Sequence, residues 1–197
     1  MAEKIKKTRP ELMNQRRSLT MFQRFLPTLV LKKQQIQSEI LKIRAEAKKL
    51  TQQMQEKIQQ GKDWQILFSE SLPGPITRLV KVKNIQRGIR NVAGIKLPVV
   101  SEVEYEISKF SRLAVPAWVD AGVEFLKELL EVREKCKIIT EQEYLLKKEL
   151  RKVTQRVNLF EKVKIPQAKE NIKLIRIMLA EEQTSAVARS KIAKGKA

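Results

Sequence analysis

LMNQRRSLTMFQRFLPTLVLKKQQIQSEILKIRAEAKKLTQQMQEKI, residues 12–58, decides the architecture. In steps of three and four it reads Leu12, Leu19, Phe22, Leu26, Leu29, Ile36, Ile40, Ile43, Ala47, Leu50 and Met54. This is an a/d heptad seam, interrupted mainly by Gln15 and Lys33. A helix of about 50 residues rises roughly 75 Å, farther than a compact domain of this size is wide. The stretch therefore predicts a rod, and a rod with one narrow apolar stripe needs a second helix to lie against it.

The chain supplies that helix near its other end, over about residues 116–190. Its stripe is Val119, Val123, Leu126, Leu130, Cys136, Ile139, Leu146, Leu150, Val153, Val157 and Phe160. Beyond Phe160 the stripe slips by about one residue, to Ile172, Ile175 and Leu179. Pro166 lies inside the slip, as its cause or its accommodation. The predicted fold is mainly α: a long antiparallel two-helix coiled coil of the N- and C-terminal segments, with a small central α+β part containing a β-hairpin. Antiparallel pairing would bring both termini to one tip and place the hairpin towards the other. The seam residues expected to carry the pairing are Leu19, Leu26, Leu29, Ile36, Ile40, Ile43, Leu50, Leu150, Val153, Val157 and Phe160.

Local signals set the boundaries. Residues 1–8 form a basic segment, and Thr8-Arg9-Pro10-Glu11 has the form of a capping box, with proline harmless in the first turn. The first helix is expected over 9–60, with Pro27 as a kink or local loosening, because the stripe keeps its register on both sides. Lys33, at a seam position, reads as a snorkelling side chain or a register device. Gly61 suits a left-handed C-terminal cap. Residues 61–115 are then expected to hold a short helix capped by Asp63, ended by Pro73-Gly74-Pro75, and a hairpin.

The hairpin arms are Leu79-Val80-Lys81-Val82-Lys83-Asn84-Ile85 and Ser101-Glu102-Val103-Glu104-Tyr105-Glu106-Ile107. Gly88, Asn91, Gly94 and Pro98 between them read as turn and bulge residues. Two strands alone are barely stable, so this part must rest on the helices or on another polypeptide of an assembly. Pro116 opens the second helix, expected over 116–190, and residues 191–197 are a basic tail.

Composition agrees with an extended helical frame. Aromatic residues are 5% of the 197 and charged residues 32%, thin for a globular core and ordinary for a coiled coil. Forty-one Lys and Arg against 22 Asp and Glu give a net charge of +19, which points to acidic partner surfaces. The single cysteine, Cys136, excludes an intramolecular disulfide and reads as a small core residue in a reducing compartment. There is no histidine, so the commonest general base and a common metal ligand are both missing. No apolar run is long enough to span a membrane, and no phosphate-cradling glycine motif occurs. No catalytic, cofactor or metal residue is assigned.

The residues that remain are basic. Lys4, Lys6, Lys7, Arg9, Arg16 and Arg17 at one end converge in this topology with Arg189, Lys191, Lys194 and Lys196 at the other. They are read either as solvating tails or as groups that face an acidic wall. Nucleic-acid recognition would be helped by aromatics interleaved with the cations. Phe22, Phe25, Trp118 and Phe160 instead sit on or beside apolar stripes and are expected to pack.

Several quoted stretches together resemble a known family. The Thr8-Arg9 start, the pair Arg16-Arg17 before the heptads, Asn91-Val92-Ala93-Gly94-Ile95-Lys96-Leu97-Pro98, and above all Arg156-Val157-Asn158-Leu159-Phe160-Glu161-Lys162-Val163-Lys164-Ile165-Pro166 are similar to the D subunit of V/A-type (vacuolar/archaeal-type) rotary ATPases. The resemblance runs from about residue 8 to about residue 192. It implies a non-catalytic central rotor shaft, inserted into a hexamer of catalytic and non-catalytic nucleotide-binding subunits. The shaft would carry the small rotor F subunit and rest in the funnel-shaped subunit that joins it to the membrane ring. It implies torque transmitted between ATP synthesis or hydrolysis and H⁺ or Na⁺ translocation, no cofactor, no nucleic acid, no membrane insertion, and a cytoplasmic location peripheral to the membrane. Lys6, Lys7, Arg9, Arg16, Arg17, Arg189 and Lys191 are the expected hexamer contacts. Two other readings stay open: a basic coiled coil associated with nucleic acid, and a scaffold that homodimerises through the same seams.

Overall fold

The computed structural model describes residues 6–68, 80–107 and 116–195, the side chains of 63–68 excepted. Helix α1 spans Arg9–Phe68, strands β1 and β2 span Val80–Val92 and Ile95–Ile107, and helix α2 spans Trp118–Leu159. A π-helical turn over Phe160–Lys164 leads directly into α3, Ile165–Gly195. The chain forms two compact units, one of residues 1–34 with 151–197 and one of residues 35–150.

In the first unit, α1 pairs with the end of α2 and with α3. The Phe22 and Phe160 rings stack with centroids 5.3 Å apart, and the Asn171 side-chain amide donates to Gln15 Oε1 at 3.4 Å. Residue numbers rise along one helix as they fall along the other, so the pairing is antiparallel. Val153, Val157, Ala168, Ile172 and Ile175 are buried. Leu19, Phe22, Leu26, Leu29 and Phe160 are half-buried. Gln15, the polar interruption of the seam, is held by Asn171 and itself donates to Glu11 at 2.8 Å.

Two first-turn expectations change. Thr8 supplies its carbonyl to the Leu12 N–H at 3.0 Å, while Glu11 accepts from Gln15 instead of reaching back as the partner in a capping box. Pro27 sits on the exposed side of an uninterrupted helix, with the Thr28 hydroxyl donating to the Phe25 carbonyl at 2.7 Å. The proline ring and the hydrogen bond it deletes face water, so the cost stays local.

The π turn explains the slip in the stripe. Its closing bond runs from the Ile165 N–H to the Phe160 carbonyl, five residues back. A five-residue bond absorbs one residue more than an α turn does. Without it every side chain beyond would be rotated by roughly 100°. With it, Ala168, Ile172 and Ile175 return to the buried side. Pro166 follows at once, where a widened turn tolerates a missing N–H.

In the second unit, Ile36, Ile40 and Ile43 of α1 are buried, as are Val119, Val123, Ile138, Ile139 and Leu146 of α2. Ion pairs join the two helices at Lys57–Glu128 and Arg44–Glu143, again antiparallel. Leu50 and Leu150 are half-buried, and so is Cys136, whose thiol is pushed up by burial. Gly61 does not end α1: the helix continues to Phe68. A Cβ at Gly61 would stand 3.2 Å from the Phe125 ring, so the missing side chain makes room for an aromatic and caps nothing. Residues 63–68 belong to α1 and not to a separate capped helix, which moves the expected boundary at residue 60 onward. The expectations for residues 1–5, for Pro73-Gly74-Pro75, and for Leu79 and Lys196 lie outside the described residues. At the other end α3 carries the expected tail as helix through Gly195.

The hairpin is longer than its alternating arms suggest. Its turn is Ala93-Gly94, with φ of 50° and 79°, the two left-handed positions of a type I′ connection. Gly88, Asn91 and Pro98 lie inside the strands, with Pro98 opposite Ile89. In a two-stranded sheet both strands are edges, so a proline need not cost a ladder bond. The hairpin rests on the helices of its own unit through buried Val80, packed with Val119 and Val123.

The packing sets the outcome of four changes. Ile40 is only 5% exposed, so Ile40→Asp should cost about 3 kcal/mol or more, read as a large fall in the melting temperature. Deleting Lys162 together with Pro166→Ala should convert the π turn to α-helix with Ile172 and Ile175 still buried, leaving the melting temperature within a few degrees. Deleting Lys148 instead should lower it sharply, because no wide turn is there to remove. Glu143 accepts from Lys147 and Arg44, which holds its carboxyl below the ordinary carboxylate value. Its stabilising contribution is therefore complete above that ordinary value and is lost as pH falls through the lowered one. An acid titration of unfolding should show that loss, and Arg44→Met should shrink it.

Candidate interaction surface

The sequence brings cations to both faces of the first unit because its seam uses only two positions in seven. On α1, Arg16 and Arg17 flank the stripe and are exposed. On α3, Lys169, Lys173 and Arg176 recur at i, i+4 and i+7 beside buried Ile172 and Ile175, one helical flank. Arg16 faces these three across an open groove of about 780 Å³, floored by Leu19, Ile172 and Ile177. Among the described residues no ion pair neutralises Arg16, Lys169, Lys173 or Arg176. Four uncompensated cations beside Leu19, Ile172 and Ile177 make this face strongly positive and partly apolar.

A second, smaller cleft of about 410 Å³ lies on α1 alone. Met13, Met21 and Phe25 line it between Arg16, Arg17 and Arg24. Met13, Met21 and Phe25 are 49%, 48% and 52% exposed. Phe25 therefore does not pack as expected, whereas Phe22, on the seam, does. Position 25 lies between the seam positions Phe22 and Leu26 but on the flank of the stripe, where it stays half exposed.

The seven expected contacts do not all meet. Arg16 and Arg17 lie at these clefts, Arg9 is the first residue of α1, and Lys6 and Lys7 precede the helix, all exposed. Arg189 and Lys191 are exposed on α3. They stand about 20 Å of helix rise beyond Arg176, so they are outside the groove. From Ala180 to the end of α3 every described residue is exposed, Val187 and Ile192 included. The sequence reading missed Lys169, Lys173 and Arg176, although their helical spacing beside the stripe was available to find them. Among the described residues no group of three or more His, Cys, Asp or Glu is placed to hold a metal ion. No helix among them is long and apolar enough to cross a membrane.

The fold and surface define a class: a protein of antiparallel helix pairs built from the two ends of one chain, with a side hairpin and a cationic face. Comparison with known proteins narrows it. The family of the ATP synthase D subunit matches residues 11–195. The V-type ATP synthase D subunit of Borreliella burgdorferi is 44% identical, the match covering 97% of this chain and 94% of that protein. The proteins of the same description from Chlamydia abortus and Chlamydia pneumoniae are 31% and 32% identical over the whole chain, with 95% and 94% of their own lengths covered. The chain belongs to the ATP synthase D subunit family.

Proposed function

We propose that this chain is the central-stalk rotor shaft of a V-type ATPase/ATP synthase. As a non-catalytic subunit it transmits torque between nucleotide turnover in the catalytic hexamer and H⁺ or Na⁺ movement through the membrane ring. The observation that carries the reading is the pairing of distant segments within one chain. The Arg44–Glu143 bond joins residues 99 apart in sequence, in a family whose relatives are ATP synthase subunits. Paired helices resist twisting better than a single helix does, and side chains that interlock cannot rotate past one another without breaking seam contacts.

In this reading the catalytic and non-catalytic nucleotide-binding subunits receive the first unit. The cationic groove and Arg9, Arg17, Arg189 and Lys191 meet them at acidic walls. The small rotor F subunit binds elsewhere on the shaft, and the funnel-shaped subunit seats it on the membrane ring. The location is cytoplasmic and peripheral to the membrane. An asymmetric shaft favours a different conformation in each subunit it faces, so rotation opens and closes nucleotide sites in turn. Coupling free energy is reciprocal, so nucleotide binding and hydrolysis drive rotation by the same contacts.

Reconstitution tests this. The chain should co-assemble with the hexamer and the F subunit, and complexes lacking it should turn over ATP without ion transport. Changing Arg16, Lys169, Lys173 and Arg176 together to Glu should weaken hexamer binding at least about tenfold by charge reversal, and leave the melting temperature of the free chain near its original value. Unchanged coupling in a complex that lacks the chain would rule the shaft out. Tight, steeply salt-dependent duplex binding by the free chain would favour the nucleic-acid reading instead.

A further inference from the structure

The β-hairpin is held to the helices of its unit at two places by different chemistry. At its base the anchor is apolar: Val80 is buried with Val119 and Val123, and Tyr105 and Trp118 pack against them. The Tyr105 hydroxyl adds a bond to the Lys127 carbonyl at 3.3 Å. In the outer half the anchor is largely polar. Arg90 donates to the carboxylate of Glu39, Arg87 stands 3.7 Å from Glu141, and the Gln142 amide donates to the Pro98 carbonyl. Leu97, 1% exposed, is the apolar contribution there.

Between the two anchors the ladder breaks twice. Pairing shifts between Val82 and Asn84, which leaves Lys83 unmatched in β1, and again between Gln86 and Arg87, which leaves Ser101 unmatched in β2. Bulges disrupt the ladder locally and bend the strand. Gly88 follows the second bulge, where a Cβ would stand 2.9 Å from Ser101 Oγ, so a side chain there would have to displace that hydroxyl. The weak point of the hairpin thus lies where a hinge would have to be.

The carboxylate at the latch has two cationic neighbours. Glu39 has a side chain only 9% exposed, so losing its partner outright would be costly, while Arg90 is 60% exposed and well hydrated in either position. Lys42, one turn along the same helix, already stands 3.5 Å from the other Glu39 oxygen. When Arg90 leaves, a second cation is in place to take the charge. A cleft of about 350 Å³ beside the latch is lined by Val99, Val100, Ile138 and Ile139 together with the polar and charged Glu46, Arg90, Lys135 and Gln142.

We propose that the outer half of the hairpin, residues 87–100, is a hinged flap. It is latched to the helix pair by the Arg90–Glu39 ion pair and opens about the two bulges while the base stays seated. Opening uncovers Leu97, which is buried while the flap is closed.

Amide hydrogen exchange on the full chain tests the flap, because an undocked two-stranded ribbon is marginal and its amides exchange. In Arg90→Ala, amides of residues 87–90 and of Leu97, Val99 and Val100 should exchange about tenfold faster or more, while those of Val80, Lys81 and residues 105–107 keep their original rates. Arg90→Lys should fall between. Replacing both partners, Glu39→Leu with Arg90→Leu, should restore slow exchange, since an apolar pair leaves no buried charge unmatched. Equal acceleration of base and outer half would mean that the hairpin leaves as one body. Unchanged exchange in Arg90→Ala, or failure of the apolar pair to restore it, would equally overturn the latch.

Discussion

Everything in this structure depends on a shortage of apolar surface. Each long helix has one stripe, two residues in seven, and such a stripe is stable in water only when another helix covers it. Burying a leucine or isoleucine contributes about 1.5–3 kcal/mol, so the contacts of Ile36, Ile40 and Ile43 with the second helical segment far outweigh any local helix preference. The covering helix comes from more than ninety residues away in sequence at Arg44–Glu143. Where the stripe turns polar, the partner does too, as Gln15 and Asn171 show.

Register is the second consequence. Two stripes that must face each other over many turns leave no room for an uncompensated insertion, and the second one carries an extra residue after Phe160. The π turn at Phe160–Lys164 takes up that residue and leaves Ala168, Ile172 and Ile175 on the buried side. A wide turn is a poorer hydrogen-bonded structure than the α-helix it replaces. It persists because the alternative would turn three seam residues to water. Gly61 answers the same need differently: a missing side chain admits the Phe125 ring without moving either backbone.

Helices that spend so few positions on their seam leave the rest to charge and to secondary contacts. In one unit the spare faces carry Arg16, Lys169, Lys173 and Arg176, uncompensated within the described residues. In the other they carry Glu39 and Glu134, buried beneath or beside the hairpin and matched by Arg90 and Lys137. A cationic face suits a surface presented to other polypeptides. Internally matched acids suit an element the chain keeps for itself, and the family membership places both on a subunit of an ATP synthase.

Periodicity along the chain was enough to determine the two helical segments and the one-residue slip, because a heptad pattern is a local code, and the turn-rich middle segment, too irregular to span a rod, made their pairing antiparallel. The hairpin was legible from its alternation, but its length was not, since Gly88, Asn91 and Pro98 carry turn chemistry that pairing overrode. Only tertiary structure decided that Gly61 admits an aromatic, that Phe25 stays exposed while Phe22 packs, and that Ile138, Leu97 and Glu39 are buried. These outcomes depend on which element lies across from a residue, and distance through space is not written in any window of neighbouring letters. The same holds for the groove: the cations could be counted in sequence, but only the packing of α1 against α3 set Arg16 opposite Lys169, Lys173 and Arg176.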